Sequence, residues 1–134
     1  WARNVDGSAR RLTVSSINRL EDSTASFQSI AQWDEAGYLP ALIALTRRVW
    51  RDRAFGDVWP YMLIAEGQIE MVAEFGVKEY DIAAAVPIIR EAGGTFTSFD
   101  GEDTLSARSS LATNGTLHQD FPALLHQTHP APLA

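Results

Sequence analysis

Three carboxylates stand where the local pattern points to chemistry. Asp81 falls at or just before the first turn of an expected helix and is followed by the small residues Ala83-Ala84-Ala85. An acid there can cap the helix and complement its dipole. It can equally face a phosphate or a hard cation, because small residues let a helix start approach another layer closely. Glu74 precedes Asp81 by seven residues, at the end of an expected strand before Gly76. A strand–turn–helix would place both acids around one rim, whereas a solvated edge glutamate is the plainer reading. Asp57, after Gly56 and before an apolar helix, repeats the choice between helix cap and ligand contact. Arg53 could counter a phosphate or form an ion pair with one of these acids.

Other chemistries lack their residues. There is no GxxxxGK[ST], GxGxxG, HExxH or GxSxG, so phosphate loops, zincins and serine hydrolases have no support. With no cysteine in the chain, disulfides, zinc ribbons and thiol catalysis are excluded, and a reducing, cytoplasmic setting is expected. His126 and His129 have the spacing of two ligands on one helical face, and the plainer reading is a pair of solvated tail histidines. Asn114-Gly115-Thr116 matches a glycosylation sequon of a kind common by chance.

The elements that must position the acids read as alternating strands and helices. Asp6-Gly7 is a hairpin-type turn signal, and Leu12, Val14 and Ile17 suggest a short strand after it. A strand is expected over 25–30. A helix of about ten residues is expected around Leu39 to Val49 with Pro40 in its first turn, then an extended segment from Arg47 to Arg51. The next helix, Val58 to Glu66, starts at Pro60 and stops at Gly67. Gln68 to Phe75 alternates, which predicts a strand with Ile69, Met71, Ala73 and Phe75 on its one core face. Glu79 to Ala92 reads as a continuous helix ended by Gly93-Gly94, with Pro87 kinking its interior. Strands over 95–99 and 111–113, a last helix over 116–127 and a frayed tail over 128–134 complete the chain. Trp50, Trp59 and Tyr61 read as core aromatics. The alternation predicts one layered α/β domain.

Composition agrees with a globular chain of 134 residues. Hydrophobic residues make up 46% and charged residues 21%, which excludes a disordered or collagen-like polymer. Seventeen acids against eleven Lys and Arg leave a net charge of −6, the wrong sign for a nucleic-acid binder. No apolar run reaches the roughly 20 residues of a membrane-spanning helix. The beginning, Trp1 to Arg11, has no apolar core and no Met, and is expected to be a chain entered partway.

An ordered series of segments then stands out: Arg53-Ala54-Phe55-Gly56-Asp57-Val58-Trp59, Leu63-Ile64-Ala65-Glu66-Gly67, Glu74, and Tyr80-Asp81-Ile82-Ala83-Ala84 running on to Glu91-Ala92-Gly93-Gly94. The series resembles the C-terminal half of the inositol-monophosphatase superfamily. Tyr80 before Asp81, the Ala85-Val86-Pro87 continuation, and Ala112-Thr113-Asn114-Gly115-Thr116-Leu117-His118 look most like its histidinol-phosphate phosphatase branch. The resemblance implies a Mg²⁺-dependent phosphomonoesterase acting on a small phosphorylated substrate. It implies that Asp81 ligates Mg²⁺ and that Glu74 contacts the substrate's alcohol moiety. Arg53, Gly56 and Asp57 then fall in a second substrate-contacting loop.

The superfamily's D-P-x-D-G-T motif does not occur here, and Asp81 alone cannot hold two Mg²⁺ ions. The expectation is therefore a 1–134 C-terminal portion that needs an N-terminal half for activity, and that is marginally stable alone or paired, a homodimer being one such pairing. The branch resemblance implies histidinol phosphate as the substrate, and its ammonium and imidazole, which acids such as Asp57 and Glu74 would attract, favour the same choice weakly. Inositol 1-phosphate or another sugar phosphate is the alternative, and a non-catalytic α/β interaction domain is an alternative of another class.

Overall fold

The computed structural model describes residues 1–127. The expected frayed tail, 128–134, and His129 lie outside them. A small antiparallel hairpin, β1 (Ala2–Arg3) and β2 (Ala9–Arg10), turns at Asp6-Gly7. The segment from Arg11 to Ile17 is irregular rather than the expected strand. It crosses the molecule instead of joining a sheet, with Val14 N–H donating to Ala92 C=O and Asn114 Nδ2 to Ile17 C=O.

After one 3₁₀ turn at Leu20–Asp22 come β3 (Thr24–Ser26), α1 (Ile30–Glu35), α2 (Leu39–Arg48), β4 (Arg51–Arg53), α3 (Trp59–Ala65), β5 (Met71–Phe75), α4 (Glu79–Ile82), α5 (Ala85–Glu91), β6 (Thr95–Thr97), β7 (Ser109–Thr113) and α6 (Asp120–Gln127). Pro40 and Pro60 sit in the first turns of α2 and α3, where a missing N–H has no partner to lose. The strand expected over 25–30 stops at Ser26. Ser29 caps α1 instead, its Oγ accepting from Gln32 N–H. The helix expected over 79–92 is divided at Ala83-Ala84. The division puts Pro87 in the first turn of α5, so it kinks nothing.

The main sheet has the order β4-β3-β5-β7-β6. β3 runs parallel to β4 and β5, while β7 is antiparallel to both β5 and β6. Helices cover both faces. Trp33, Leu42, Leu45, Phe121 and Leu125 pack with Met71, Ala73 and Leu111 on one side. Ile64, Ile82, Val86 and Ile89 pack with Val72, Phe96 and Ala112 on the other. β5 therefore has two core faces, not the single one its alternation suggested, because parallel strands are covered by crossover helices on both sides. Gly94 marks a close approach: a Cβ there would stand 2.7 Å from both Ile89 Cγ2 and Thr113 O.

Two of the three expected core aromatics lie outside. Trp50 and Trp59 are 63% and 55% exposed, whereas Tyr61 is 1% exposed. Trp50 sits beside edge strand β4 under the Arg51 guanidinium, and Trp59 begins α3 against the Phe55 ring. Among the described residues, no helix is long and apolar enough to cross a membrane.

Candidate active site

Because β3, β4 and β5 are parallel, their carboxyl ends open on one edge, where α/β folds bind ligands. A cavity of about 480 Å³ lies there, lined by Gln28 and Gln32 after β3, Asp57 and Val58 after β4, and Glu74 to Val77 at the end of β5. Tyr80 and Asp81 of α4 complete its wall. The structure thus brings Asp57, Glu74 and Asp81 together around one space. Among the described residues no Lys or Arg lines it, so its field favours a cation.

Each acid is held differently. Asp81 is exposed, and its Oδ2 accepts from Lys78 N–H at 3.1 Å across the first turn of α4. The helix-capping reading of Asp81 therefore holds, and the second carboxylate oxygen is left for another partner. Glu74 is 8% exposed and accepts from Tyr61 Oη at 2.5 Å, so it is not a solvated edge glutamate. Burial pushes its carboxyl above the ordinary range, the Tyr61 hydrogen bond opposes this, and the charges of Asp81 and Asp57 add to the rise. Asp57 does not begin α3 as a cap. It adopts φ 60°, and Gln28 opposite adopts φ 66°, both in the left-handed region that side chains rarely occupy. Gln28 Nε2 donates to Asp57 C=O at 2.9 Å, and Asp57 N–H donates to Gln28 Oε1 at 3.1 Å. Gln32 Oε1 accepts from Phe75 N–H at 3.3 Å and braces the end of β5.

Two expected site residues stand apart from the cavity. Arg53 ends β4 exposed, donates to Asp52 C=O at 2.7 Å, and faces a separate depression of about 400 Å³ beside Arg51, Phe55 and Trp59. Gly56 adjoins the Gln28 side chain, 3.9 Å from where its Cβ would be, without lining the cavity. Gln28, Gln32 and Tyr61 were not expected as site residues. Nothing in the local sequence marks them, because their roles arise from contacts across 29, 43 and 13 positions.

Among the described residues, no three His, Asp or Glu side chains group closely enough to hold a metal ion. The donor set fits one ligand to a hard cation, the open carboxylate oxygen of Asp81, rather than a complete shell.

Residues 16–130 match the inositol monophosphatase family. The chain belongs to that family. Curated relatives named histidinol-phosphatase match at 43% identity. For the protein of Streptomyces coelicolor (strain ATCC BAA-471 / A3(2) / M145), the match spans 122 residues, 91% of this chain and 46% of the relative. The solved inositol monophosphatase of Anabaena (Nostoc) sp. PCC 7120 superposes with a TM-score of 0.78 at 25% identity, over 89% of this chain and 49% of that one. A structure described as an IMPase/NADP phosphatase complexed with Mg²⁺ and phosphate shares the fold, with a TM-score of 0.71 at 20% identity over 85% and 43% of the two chains. The chain spans about half the length of the curated relatives it matches.

Proposed function

We propose that the whole protein is a Mg²⁺-dependent phosphomonoesterase and that histidinol phosphate is its substrate. The observation that carries this reading is the convergence of Asp57, Glu74 and Asp81 on one cavity with, among the described residues, no Lys or Arg in its wall. The relatives named histidinol-phosphatase support the choice of ester. So does charge, because an ammonium-bearing alcohol is drawn to buried and rim carboxylates more strongly than a neutral polyol.

In this reading Asp81 holds Mg²⁺ through the oxygen that Lys78 does not occupy, and the rest of the whole protein supplies the remaining ligands. When bound, Mg²⁺ supplies Lewis-acid stabilisation of phosphoryl charge and a water nucleophile at neutral pH. Glu74 and Asp57 take the alcohol end of the ester, Glu74 from the end of β5 and Asp57 from the rim. The Gln28 clamp keeps Asp57 in place, so this part of the rim is ordered before the substrate binds. Arg53, outside the cavity, and Gly56 are assigned no contact with the substrate in this proposal.

The deciding experiment is turnover by the full-length protein on histidinol phosphate and inositol 1-phosphate, with Mg²⁺ and after chelation. Mg²⁺-dependent hydrolysis with preference for histidinol phosphate is expected. Hydrolysis of inositol 1-phosphate with none of histidinol phosphate would overturn the substrate assignment.

A further inference from the structure

Behind Glu74 lies a buried polar chain that the reading above does not use. Glu74 on β5 pairs in register with Ser110 on β7, so both side chains emerge on the sheet face that α3 covers. Their neighbours there, Val72 and Ala112, are apolar and fully buried. Tyr61, from α3, reaches into this face at 1% exposure. Its hydroxyl meets Glu74 Oε1 at 2.5 Å and also shares a hydrogen bond with Ser110 Oγ. With Glu74 ionised, the tyrosine O–H must point to the carboxylate, because a carboxylate only accepts. Ser110 then donates to Tyr61. The two hydroxyls align in one direction and each strengthens the next.

A tyrosine serving only to fill the core could be phenylalanine, without the cost of burying a hydroxyl. Here the hydroxyl ends on Glu74, an acid that also lines the cavity. We propose that Tyr61 is a positioning residue for Glu74, holding its carboxylate, with Ser110 behind, in the orientation that receives the cationic part of the substrate. The proposal rests on reading Glu74 as a substrate-facing acid. Tyr61 does not touch the substrate, so its effect passes entirely through Glu74.

The test is steady-state kinetics of the full-length protein carrying Tyr61→Phe, on histidinol phosphate and on a phosphate ester of a neutral alcohol (the neutral ester), inositol 1-phosphate or, if that is not turned over, p-nitrophenyl phosphate. KM for histidinol phosphate should rise about tenfold, the scale of one hydrogen bond to a charged group. Its kcat should change less than twofold, and KM for the neutral ester should stay within twofold. Glu74→Gln should raise the same KM, and the Tyr61→Phe/Glu74→Gln double variant should be no worse than Glu74→Gln alone. If Tyr61→Phe does not fold, Tyr61→Phe with Ser110→Ala removes the stranded serine hydroxyl and should reproduce the split. Equal KM rises for both esters, a fall in kcat alone, or additive losses in the double variant would overturn the proposal while leaving the phosphatase reading intact. A wild-type protein that hydrolyses no phosphate ester would overturn that reading and this proposal together.

Discussion

Gln28 holds Asp57 by its backbone, donating to its carbonyl at 2.9 Å and accepting from its N–H at 3.1 Å, while both residues occupy left-handed backbone. Aspartate visits this region more readily than most side chains, whereas glutamine does not, so the conformation costs about 1–3 kcal/mol chiefly at Gln28. The amide clamp joins the two loops at the rim, beside the Phe27 N–H to Arg53 C=O and Ser26 Oγ to Phe55 C=O hydrogen bonds.

Loss of that clamp should loosen the rim without unfolding the domain. Gln28→Ala in the full-length protein should raise KM for the phosphate ester about five- to tenfold, with a stability loss of about 1–2 kcal/mol from two hydrogen bonds. Michaelis constants and denaturant midpoints measure both. An unchanged KM would show that Asp57 stays in place without its partner.

Asp81→Asn separates the cap from the ligand. Asparagine keeps an oxygen that can accept from Lys78 N–H, so the thermal midpoint should move little. Mg²⁺-dependent turnover should fall roughly a hundredfold or more, the scale of losing a preorganised charge in the site. Titration of activity against Mg²⁺ checks this, and unaltered activity would remove Asp81 from the metal.

Glu70 is 4% exposed and accepts from Thr24 N–H at 2.7 Å, and burial raises its carboxyl above the ordinary 4.5. A group whose pKa is raised by folding contributes stability below the unfolded value, and that contribution is lost as pH rises through the folded value. Glu70→Gln keeps the acceptor and removes the buried charge. Its thermal midpoint relative to wild type should therefore rise from pH 4.5 toward neutrality, which melting curves across that range would reveal.

His118 carries the opposite slope. Its Nε2 and Nδ1 each lie 2.9 Å from a threonine hydroxyl, of Thr97 and Thr113, and burial lowers its pKa below 6.5. The neutral ring is the folded form, so its contribution is complete above 6.5 and is lost as pH falls from there through the folded value. His118→Gln should lower stability at neutral pH yet flatten its decline below pH 6.5. A variant with the same acid slope as wild type would place the titration elsewhere.

Much of the scaffold is legible in short stretches of sequence. Pro40 and Pro60 announce the starts of α2 and α3, and alternation through Gln68 to Phe75 finds β5. Three stretches are misread. Residues 27–29 continue an extended pattern that Ser29 interrupts by capping α1, and the helix expected over 79–92 breaks at Ala83-Ala84, where propensity favours continuity. Leu12 to Ile17, expected as a strand, instead hydrogen-bonds to Ala92 and Asn114, partners far away in sequence. Trp50 shows the converse, since hydrophobicity alone does not reveal that β4 beside it is an edge strand.

From sequence alone came the order and kind of the main elements, the acids at the end of β5 and the start of α4, and the family resemblance, all properties of residues close together in the chain. Tertiary structure decided that Asp57 shares a cavity with Glu74 and Asp81 while Arg53 does not, that Gln28 clamps Asp57, and that Tyr61 and Ser110 stand behind Glu74. Those meetings depend on the β4-β3-β5-β7 strand order and on which face each side chain takes. Strand order is set by burial across the whole sheet, a sum over distant contacts that no local period encodes.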